Sequence, residues 1–449
     1  MSRPSGAIDM TQGKPINLML RFALPMMIGS IFQSLYSMVD SAVLGRFVGS
    51  HALAAIGATT STTGLILLLA TGVTSAISIV LSQYVGANDT DRVRKGIVAS
   101  GWITLLLGVV LGLISVFAAR PLMQLLKTPE DVIDMSVLYI QIVCGCGIAQ
   151  FAYNAAASIL RALGDSKTPL YFLVFSSVLN IILDIVFIVP MHMGVAGAAW
   201  ATILSQFLSA VFSTVVGLRN FPILHLRRED FHDLKGAAVL HLKTGFPMGF
   251  QMSVMCIGQL AMQAVVNSLG TAAVAGYTAA SKADQLSVLV NNAMMTAISN
   301  YVAQNFGAGK KNRIRLGVRA SLIQTEAFNI LMCIGILLLR HPIVELFLSN
   351  PTAEIYHYSD AFLTIEAPFY FLLGLRAVYR TSIQSMQNGR APFAACMIEL
   401  AMRLAATVWL SRFLGYTAVC IASPLAWFGA VALLIPVYYR MMMKPVKTV

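Results

Sequence analysis

The sequence predicts an all-α integral membrane protein with twelve transmembrane helices. Three observations carry this prediction: the composition is too apolar for a soluble surface, apolar runs long enough to span a bilayer recur along the chain, and only short polar connections separate them. Hydrophobic residues make up 57% of the 449 residues and charged residues 11%, against roughly 45–50% and about 25% in ordinary globular proteins. This balance excludes a soluble enzyme, a disordered chain and a nucleic-acid-binding protein.

The apolar runs place the twelve helices. A helix that crosses the bilayer needs about 20 mostly apolar residues. The runs cover approximately residues 17–45, 53–84, 95–119, 132–159, 169–190, 194–218, 237–268, 273–304, 315–339, 355–385, 392–413 and 416–440. Residues 1–15 are polar and mixed, so we expect the first run to be a retained span rather than a cleaved signal peptide.

The charges of the connections predict the orientation. The two termini and every second loop carry 22 lysines and arginines, whereas the remaining loops carry five. Positive residues concentrate in cytoplasmic loops, so we expect both termini in the cytoplasm of a multi-pass protein of the bacterial cell membrane. The net charge of +12 has the same origin, and we expect no nucleic-acid partner.

A repeat relates the two halves of the sequence at an offset of 221 residues. The loop SQYVGANDTDRVRKG at 82–96 aligns with AQNFGAGKKNRIRLG at 303–317, and six positions are identical. The same offset relates three further positions in other regions: Gly49 to Gly270, Ala52 to Ala273 and Gly194 to Gly415. Agreement in several separate regions makes chance coincidence a poor explanation.

Each repeat contains six runs, an even number, so both repeats enter the membrane from the same side. We therefore expect two six-helix lobes related by a pseudo-twofold axis along the membrane normal, an arrangement typical of transporters. The predicted divisions are an N-terminal lobe at 1–220, a cytoplasmic inter-lobe loop at 221–236 and a C-terminal lobe at 237–449.

Polar side chains form a stripe on the first run. Ser30, Gln33, Ser37 and Asp40 recur at spacings of three and four residues and therefore share one helix face. An ionised Asp at the centre of a spanning helix costs about 2.5–3.5 kcal/mol on insertion scales. Such a stripe faces protein or a water-filled cavity rather than lipid. The alternative is that Asp40 reaches the interface from the end of its span.

A second polar face lies on the fifth run. Asn180 and Asp184 are four residues apart and share one face, and Thr202 adds a hydroxyl on the sixth run. Oxygen ligands of this kind suit a proton or a small cation. Apart from Arg21 and Lys95, which belong to the flanking polar segments, no Lys or Arg lies inside the first six runs. The alternative is a structural hydrogen-bond network between helices.

The C-terminal half carries charges of both signs within its runs. Among them are Lys282, Asp284, Glu366, Arg376, Arg380, Glu399 and Arg403. Glu399 and Arg403 are four residues apart on the eleventh run, which predicts a structural ion pair. Lys282 and Asp284 are two apart and cannot face each other, so each needs a partner elsewhere. Glu366 is a candidate for lining a substrate cavity.

Catalytic motifs are absent from the sequence. There is no P-loop signature for nucleotide hydrolysis and no H-E-x-x-H zinc motif. The six cysteines include no C-x-x-C pair. We therefore expect no enzymatic activity, no catalytic residue, no metal site and no cofactor.

Taken together, these residues resemble the multidrug and toxic compound extrusion (MATE) family of cation-coupled exporters. The resemblance covers essentially the whole chain. Its carriers are FALPMMIGSIFQSLYSMVDSAVLGRFVG in the first run, the paired Q-x-x-G-A loops, L-G-D-x-K-T-P at 163–169 and N-x-x-x-D in the fifth run. It implies two six-helix lobes around a V-shaped cavity, and antiport by alternating access in which H+ or Na+ entry drives out amphipathic, often cationic, organic compounds.

The resemblance also implies which residues act. Family members with an acid in both the first and the fifth span place their ion site in the N-terminal lobe. The matching ion-coupling residues here are Asp40, Asn180, Asp184 and Thr202, with Tyr139 and Asn154 of the fourth run as a supporting polar shell. The predicted substrate cavity contains Gln33, Tyr36, Ser37 and Glu366. Another branch uses a Glu in the seventh span, which this sequence lacks.

Three other functions are weighed against a multidrug exporter. A lipid-linked oligosaccharide flippase of the same superfamily often has fourteen spans and an Arg-rich cavity, whereas this chain has twelve runs and no base in the interior of the first six. An intramembrane enzyme needs a paired metal or nucleophile motif, and a two-lobed repeat argues against a channel. The expected partners are small organic substrates and the lipid bilayer, and we expect a monomer.

Overall fold

The computed structural model describes residues 7–125, 128–347 and 351–443, without the side chains of some helical residues, among them Tyr36 and Ser37. This part of the chain is helical and contains no β-strand. The helices are α1 (Pro15–Phe47), α2 (Ser50–Gly86), α3 (Thr90–Leu125), α4 (Glu130–Gly145), α5 (Ile148–Ala162), α6 (Lys167–Ile188), α7 (Gly194–Asn220), α8 (Lys235–Ser268), α9 (Thr271–Gly307), α10 (Lys311–Phe347), α11 (Ala353–Glu366), α12 (Tyr370–Ser385), α13 (Arg390–Leu404), α14 (Ser411–Leu414) and α15 (Tyr416–Met443).

Helices occupy all twelve predicted runs. Within the described ranges, nine helical segments are long and apolar enough to cross a membrane, or ten when the bent pair α4 and α5 counts as one span. Large apolar side chains such as Phe117, Leu106 and Leu338 are 65–78% exposed, which suits helix faces in contact with lipid. The all-α membrane fold predicted from composition is confirmed.

Two runs that were expected to be continuous are broken. The fourth run divides into α4 and α5, which meet at an angle of 40°. Gly145 and Gly147 flank this break, and glycine weakens a helix interior because of its conformational freedom. The tenth run divides into α11 and α12 around a 3₁₀ turn that contains Pro368. Pro368 has no N–H to donate within a helix, so the interruption at this position sacrifices no hydrogen bond from that residue.

The sequence repeat is also a structural repeat. Gly49 and Gly270 precede α2 and α9 with φ values of 107° and 101°, and these two helices each contain 37 residues. Gly194 and Gly415 have φ values of 58° and 55°. Residues with a side chain rarely adopt these positive φ angles, so the paired glycines mark turns of the same shape in both halves.

The chain divides into two compact units. Unit 1 contains Leu24–Phe250 and the segment that ends at Asp9, and unit 2 contains Met10–Ala23 and Gln251–Val449. The first turns of α1 thus belong to unit 2 and the first turns of α8 to unit 1. The lobe boundaries given above at 220 and 237 stay a prediction.

Each unit has its own apolar core. The core of unit 1 joins α2, α3 and α5 through residues such as Ile77, Leu81 and Leu160. The core of unit 2 includes Phe362, Tyr370 and Trp427, from α11, α12 and α15. These cores fix the helices on which the polar groups of each unit lie.

Candidate functional site

Asp40 of α1 and Asp184 of α6 meet inside unit 1. Their carboxyl groups are within hydrogen-bond reach of each other, and none of the surface of Asp184 is exposed. A deprotonated carboxylate only accepts hydrogen bonds, so a hydrogen bond between these two groups forms only when one of them carries a proton. Two carboxylates at such short range cannot both ionise without a large energetic cost. The structure therefore brings together the two acids that the sequence places on separate helices.

Asn180 and Thr202 lie next to this pair in the fold. Asn180 is one turn before Asp184 on α6, and its Nδ2 is 3.5 Å from Oγ1 of Thr202 on α7. The two helices pack against each other, and Ser209 Oγ of α7 also donates to the carbonyl of Phe172 at 3.0 Å. This packing explains why residues 22 positions apart in sequence share one polar region.

Several oxygens of this region have no donor. In the described part of unit 1, no hydrogen-bond partner reaches Oδ1 of Asp40, Oδ1 of Asn180 or either carboxylate oxygen of Asp184. Buried polar atoms in folded proteins are ordinarily hydrogen-bonded. A set of carboxylate and amide oxygens without donors is the arrangement that a proton or a small hard cation satisfies.

The other predicted residues have less defined places. Tyr139 is half-buried on α4 and Asn154 is half-buried on α5, while Gln33 is exposed on α1. The side chains of Tyr36 and Ser37 lie outside the described residues. The roles of these five residues in ion coupling or substrate binding stay predictions.

Glu399 in unit 2 does not pair as predicted. The expected partner was Arg403 on the same helix, but Glu399 Oε2 accepts from Arg376 Nη1 at 3.0 Å and Oε1 lies 3.5 Å from Arg380 Nη1. Arg380 also donates to Gln251 Oε1 at 2.6 Å and 3.0 Å. The prediction of a Glu399–Arg403 pair is wrong because two arginines of the neighbouring helix α12 occupy the carboxylate.

Two further acids of unit 2 lie near each other but differ in their partners. Asp284 of α9 interacts with the hydroxyl of Tyr370, and Glu366 interacts with Ser423. Glu366 is 2% exposed at the end of α11. Its place in a substrate cavity stays a prediction. Lys282 is exposed on α9.

Sequence reasoning missed Glu326. Both carboxylate oxygens of this α10 residue are buried, and its side chain interacts with that of Asn329. Asn329, three residues later, donates to the carbonyl of Tyr370 and accepts from Asn291, each at 3.0 Å. A Cβ atom at Gly374 would lie only 2.4 Å from Glu326 Oε1. The spacing of Glu326 and Asn329 within an apolar run was the available signal.

Comparison with known proteins decides the family. The MatE family model matches residues 25–186 and 247–416, which include most of both repeats. The chain belongs to the MatE family. The curated relatives are transporters, most of them named for multidrug resistance or export. The predictions that the chain is a membrane transporter of the multidrug-efflux family and that it is not an enzyme are therefore confirmed.

One relative and two solved structures illustrate the match. The probable multidrug resistance protein YpnP of Bacillus subtilis (strain 168) is 31% identical over 411 residues, which cover 91% of this chain and 89% of the relative. A MOP superfamily transporter from Pyrococcus furiosus has a TM-score of 0.90 at 21% identity, and an outward-facing multidrug resistance MATE transporter has 0.89 at 21%. Each of these two comparisons covers 99% of both chains, and they show that this MatE chain shares their fold.

Proposed function

We propose that this chain is a secondary active exporter that couples the entry of H+ or Na+ to the export of amphipathic, often cationic, organic compounds by alternating access. The proposal rests on the family and on one observation in unit 1. Asp40 and Asp184 face each other with oxygens that lack donors among the described residues. A carboxyl pair of this kind can exchange a proton or a small cation.

The energetics are sufficient for export. One elementary charge that moves through 100 mV releases about 2.3 kcal/mol. Every 1.4 kcal/mol corresponds to a tenfold ratio of concentrations, so one ion per cycle exchanged for a neutral or zwitterionic substrate supports an outward substrate gradient of about 40-fold. Exchange for a monovalent cation moves no net charge, so that the concentration gradient of the ion alone drives it. A pH gradient adds to this value when the ion is a proton. We also propose that both termini lie on the cytoplasmic side of a bacterial plasma membrane. In this orientation the H+ or Na+ gradient across the membrane is directed inward and can drive export.

Asn180 and Thr202 complete the proposed ion site. The amide of Asn180 holds the hydroxyl of Thr202, and its own Oδ1 has no donor in the described part of the chain. An amide oxygen and a hydroxyl oxygen can both coordinate Na+ or accept from a protonated carboxyl group. Tyr139 and Asn154 form the outer polar shell in this proposal.

The test is transport in proteoliposomes with imposed gradients. Wild-type protein should export a fluorescent cationic dye when a pH or Na+ gradient is imposed, and each gradient is applied separately to identify the coupling ion. Asp40→Asn should insert normally and lose gradient-driven export. Asp233→Asn is the matched control because that acid is 86% exposed. Gradient-driven export by Asp40→Asn at the wild-type rate would contradict the proposal.

A further inference from the structure

A column of polar side chains lies on α7 where this helix packs against α6 in unit 1. Its members are Thr202, Gln206, Ser209 and Ser213. Their spacing of three and four residues places them on one helix face. That face meets α6, because Asn180 reaches the hydroxyl of Thr202 at 3.5 Å and Ser209 donates to the carbonyl of Phe172 at 3.0 Å. The polar contacts between the two helices thus continue beyond the proposed ion site.

The register of α6 and α7 shows where the column ends. Seven residues separate the two contacts on α7, and eight residues separate them on α6, in the opposite direction. The helices are therefore antiparallel, and Ser213 lies level with the first turn of α6, which begins at Lys167. From Thr202 to Ser213 the column extends about 16 Å at about 1.5 Å per residue, roughly half of the thickness of the hydrocarbon core. In the orientation that we propose, it leads from the acid pair towards the cytoplasm.

Two polar atoms of the column are buried and have no partner among the described residues of unit 1. Gln206 is 6% exposed and Ser213 is 0% exposed, and no hydrogen bond reaches Gln206 Oε1 or Ser213 Oγ. Neighbouring hydroxyls bond within their own helices: Ser177 and Thr214 donate to carbonyls four residues earlier, each at 2.8 Å. Buried polar groups that the protein itself leaves unsatisfied are ordinarily bridged by buried water. Gln206 and Ser213 therefore mark two positions at which water can bind in this interface.

We propose that this column conducts a proton from the Asp40–Asp184 pair to the cytoplasmic end of α6, through waters held by Gln206 and Ser213. The inference rests on the proposed coupled export, names H+ as the coupling ion and gives its route. One carboxyl group of the pair loses the proton, each water accepts one proton and passes another on, and the last proton enters the cytoplasmic solution. Successive members of the column are about 4.5–6 Å apart along the helix axis, a distance that one water with two hydrogen bonds of about 2.8 Å bridges.

The interface suits a proton better than a metal cation. The charged residues of α6 and α7 are Lys167, Asp184 and Arg219. Lys167 lies in the first turn of α6 and Arg219 in the last turn of α7, so no acid of these two helices offers a second negative charge along the column. A proton moves through hydroxyl groups and waters by exchange of hydrogen bonds, whereas Na+ needs several oxygen ligands at every step.

The competing explanation is that the column only packs α6 against α7. A packing defect slows every mode of transport, whereas a blocked proton route slows only the modes that release a proton. Export of a cationic dye driven by a pH gradient releases protons, while exchange of labelled for unlabelled dye at equal pH on both sides needs no net proton transfer. Both rates are measured in the same proteoliposomes. Ser213→Val and Ser213→Thr form a matched pair, since valine and threonine have nearly the same shape and only threonine keeps the hydroxyl.

Ser213→Val should slow pH-driven export by about tenfold or more and leave dye exchange within about twofold of wild type. Ser213→Thr should keep both rates within about twofold. Gln206→Met, which keeps the length of the side chain without its amide, should reproduce the effect of Ser213→Val. Thr214→Val is the control, because Thr214 is exposed and its hydroxyl bonds its own helix. This control should change neither rate.

Wild-type rates of pH-driven export by Ser213→Val and Gln206→Met, or an equal loss of export and exchange in both variants, would overturn the proposal. If Ser213→Val does not fold, as judged by gel filtration, Gln206→Met provides the test. Wild-type protein that exports dye under a Na+ gradient but not under a pH gradient would overturn the proton route and leave the proposed function standing. Wild-type protein that exports under neither gradient would refute the proposed function together with this route.

Discussion

The two repeats share a backbone plan but surround their acids differently. In unit 1, Asp40 and Asp184 contact each other and have no ion-pair partner among the described residues. In unit 2, Glu399 lies between two arginines. Repetition therefore preserved turns and helix lengths, whereas the charges diverged. A carboxylate that is paired with two arginines is poorly placed to bind an exchanging cation, and we therefore propose that coupling lies in unit 1.

The largest expected effect is on coupling. Asp184→Asn should abolish gradient-driven export, because an amide cannot exchange a proton and a single carboxyl group loses its partner. The dye gradient that the wild type builds in proteoliposomes should fall to a ratio of about one. Normal insertion is checked by gel filtration of the solubilised variant. A full gradient with Asp184→Asn and none with Asp40→Asn would break the idea of one shared site.

The next effect is on the stability of unit 2. Glu399→Ala leaves two buried arginines without their carboxylate and should destabilise the protein by about 3–5 kcal/mol, measured as a lowered midpoint of thermal unfolding. A double-mutant cycle sharpens the comparison. Coupling should be substantial between Glu399 and Arg376 and near zero between Glu399 and Arg403. The reverse result would restore the pairing expected from sequence.

A smaller effect is expected at the contact between α10 and α12. Gly374→Ala should destabilise by about 1–3 kcal/mol, because its methyl group would overlap Glu326 and Asn329. Gly335→Ala on α10 is the matched control, since a Cβ atom there meets nothing within 4 Å. Thermal unfolding of the two variants compares them directly. Equal unfolding midpoints for Gly374→Ala and Gly335→Ala would show that the side chains around Glu326 move aside without a cost in stability.

The smallest effect is expected at the edge of the ion site. Thr202→Val removes the hydroxyl that Asn180 reaches at 3.5 Å, a long and therefore weak hydrogen bond. The ion concentration that gives half-maximal export should rise about threefold, in line with the loss of a modest hydrogen bond. Complete loss of coupling by this variant, at normal expression, would make Thr202 as central as the two acids.

The sequence was sufficient for the fold because its signals were local. Apolar runs predicted where helices lie, and the repeat that includes Gly49 and Gly270 predicted two similar halves. The breaks in the fourth and tenth runs were not predicted, since hydropathy does not register the conformational freedom of Gly145 and Gly147 or the missing donor of Pro368. The two glycines and the proline were nevertheless present in the sequence as known helix-weakening residues.

Part of the candidate site could be predicted from the sequence. Asn180 and Asp184 share a face because they are four residues apart, and that spacing is local. The pairing of Glu399 with Arg376 depends on how α12 and α13 pack, which i,i+4 spacing does not contain. Arg403 satisfied the helical rule but lost its partner to a neighbouring helix. Long-range packing therefore decided the charges of unit 2.

The most direct test compares one acid from each unit in the same assay. Export rate is measured in proteoliposomes as a function of pH, with and without Na+, for wild type, Asp40→Asn and Glu366→Gln. Asp40→Asn should flatten the dependence on the ion, while Glu366→Gln should change which dyes are exported and keep that dependence. A flat profile for Glu366→Gln together with a wild-type profile for Asp40→Asn would place ion coupling in unit 2 and contradict the account.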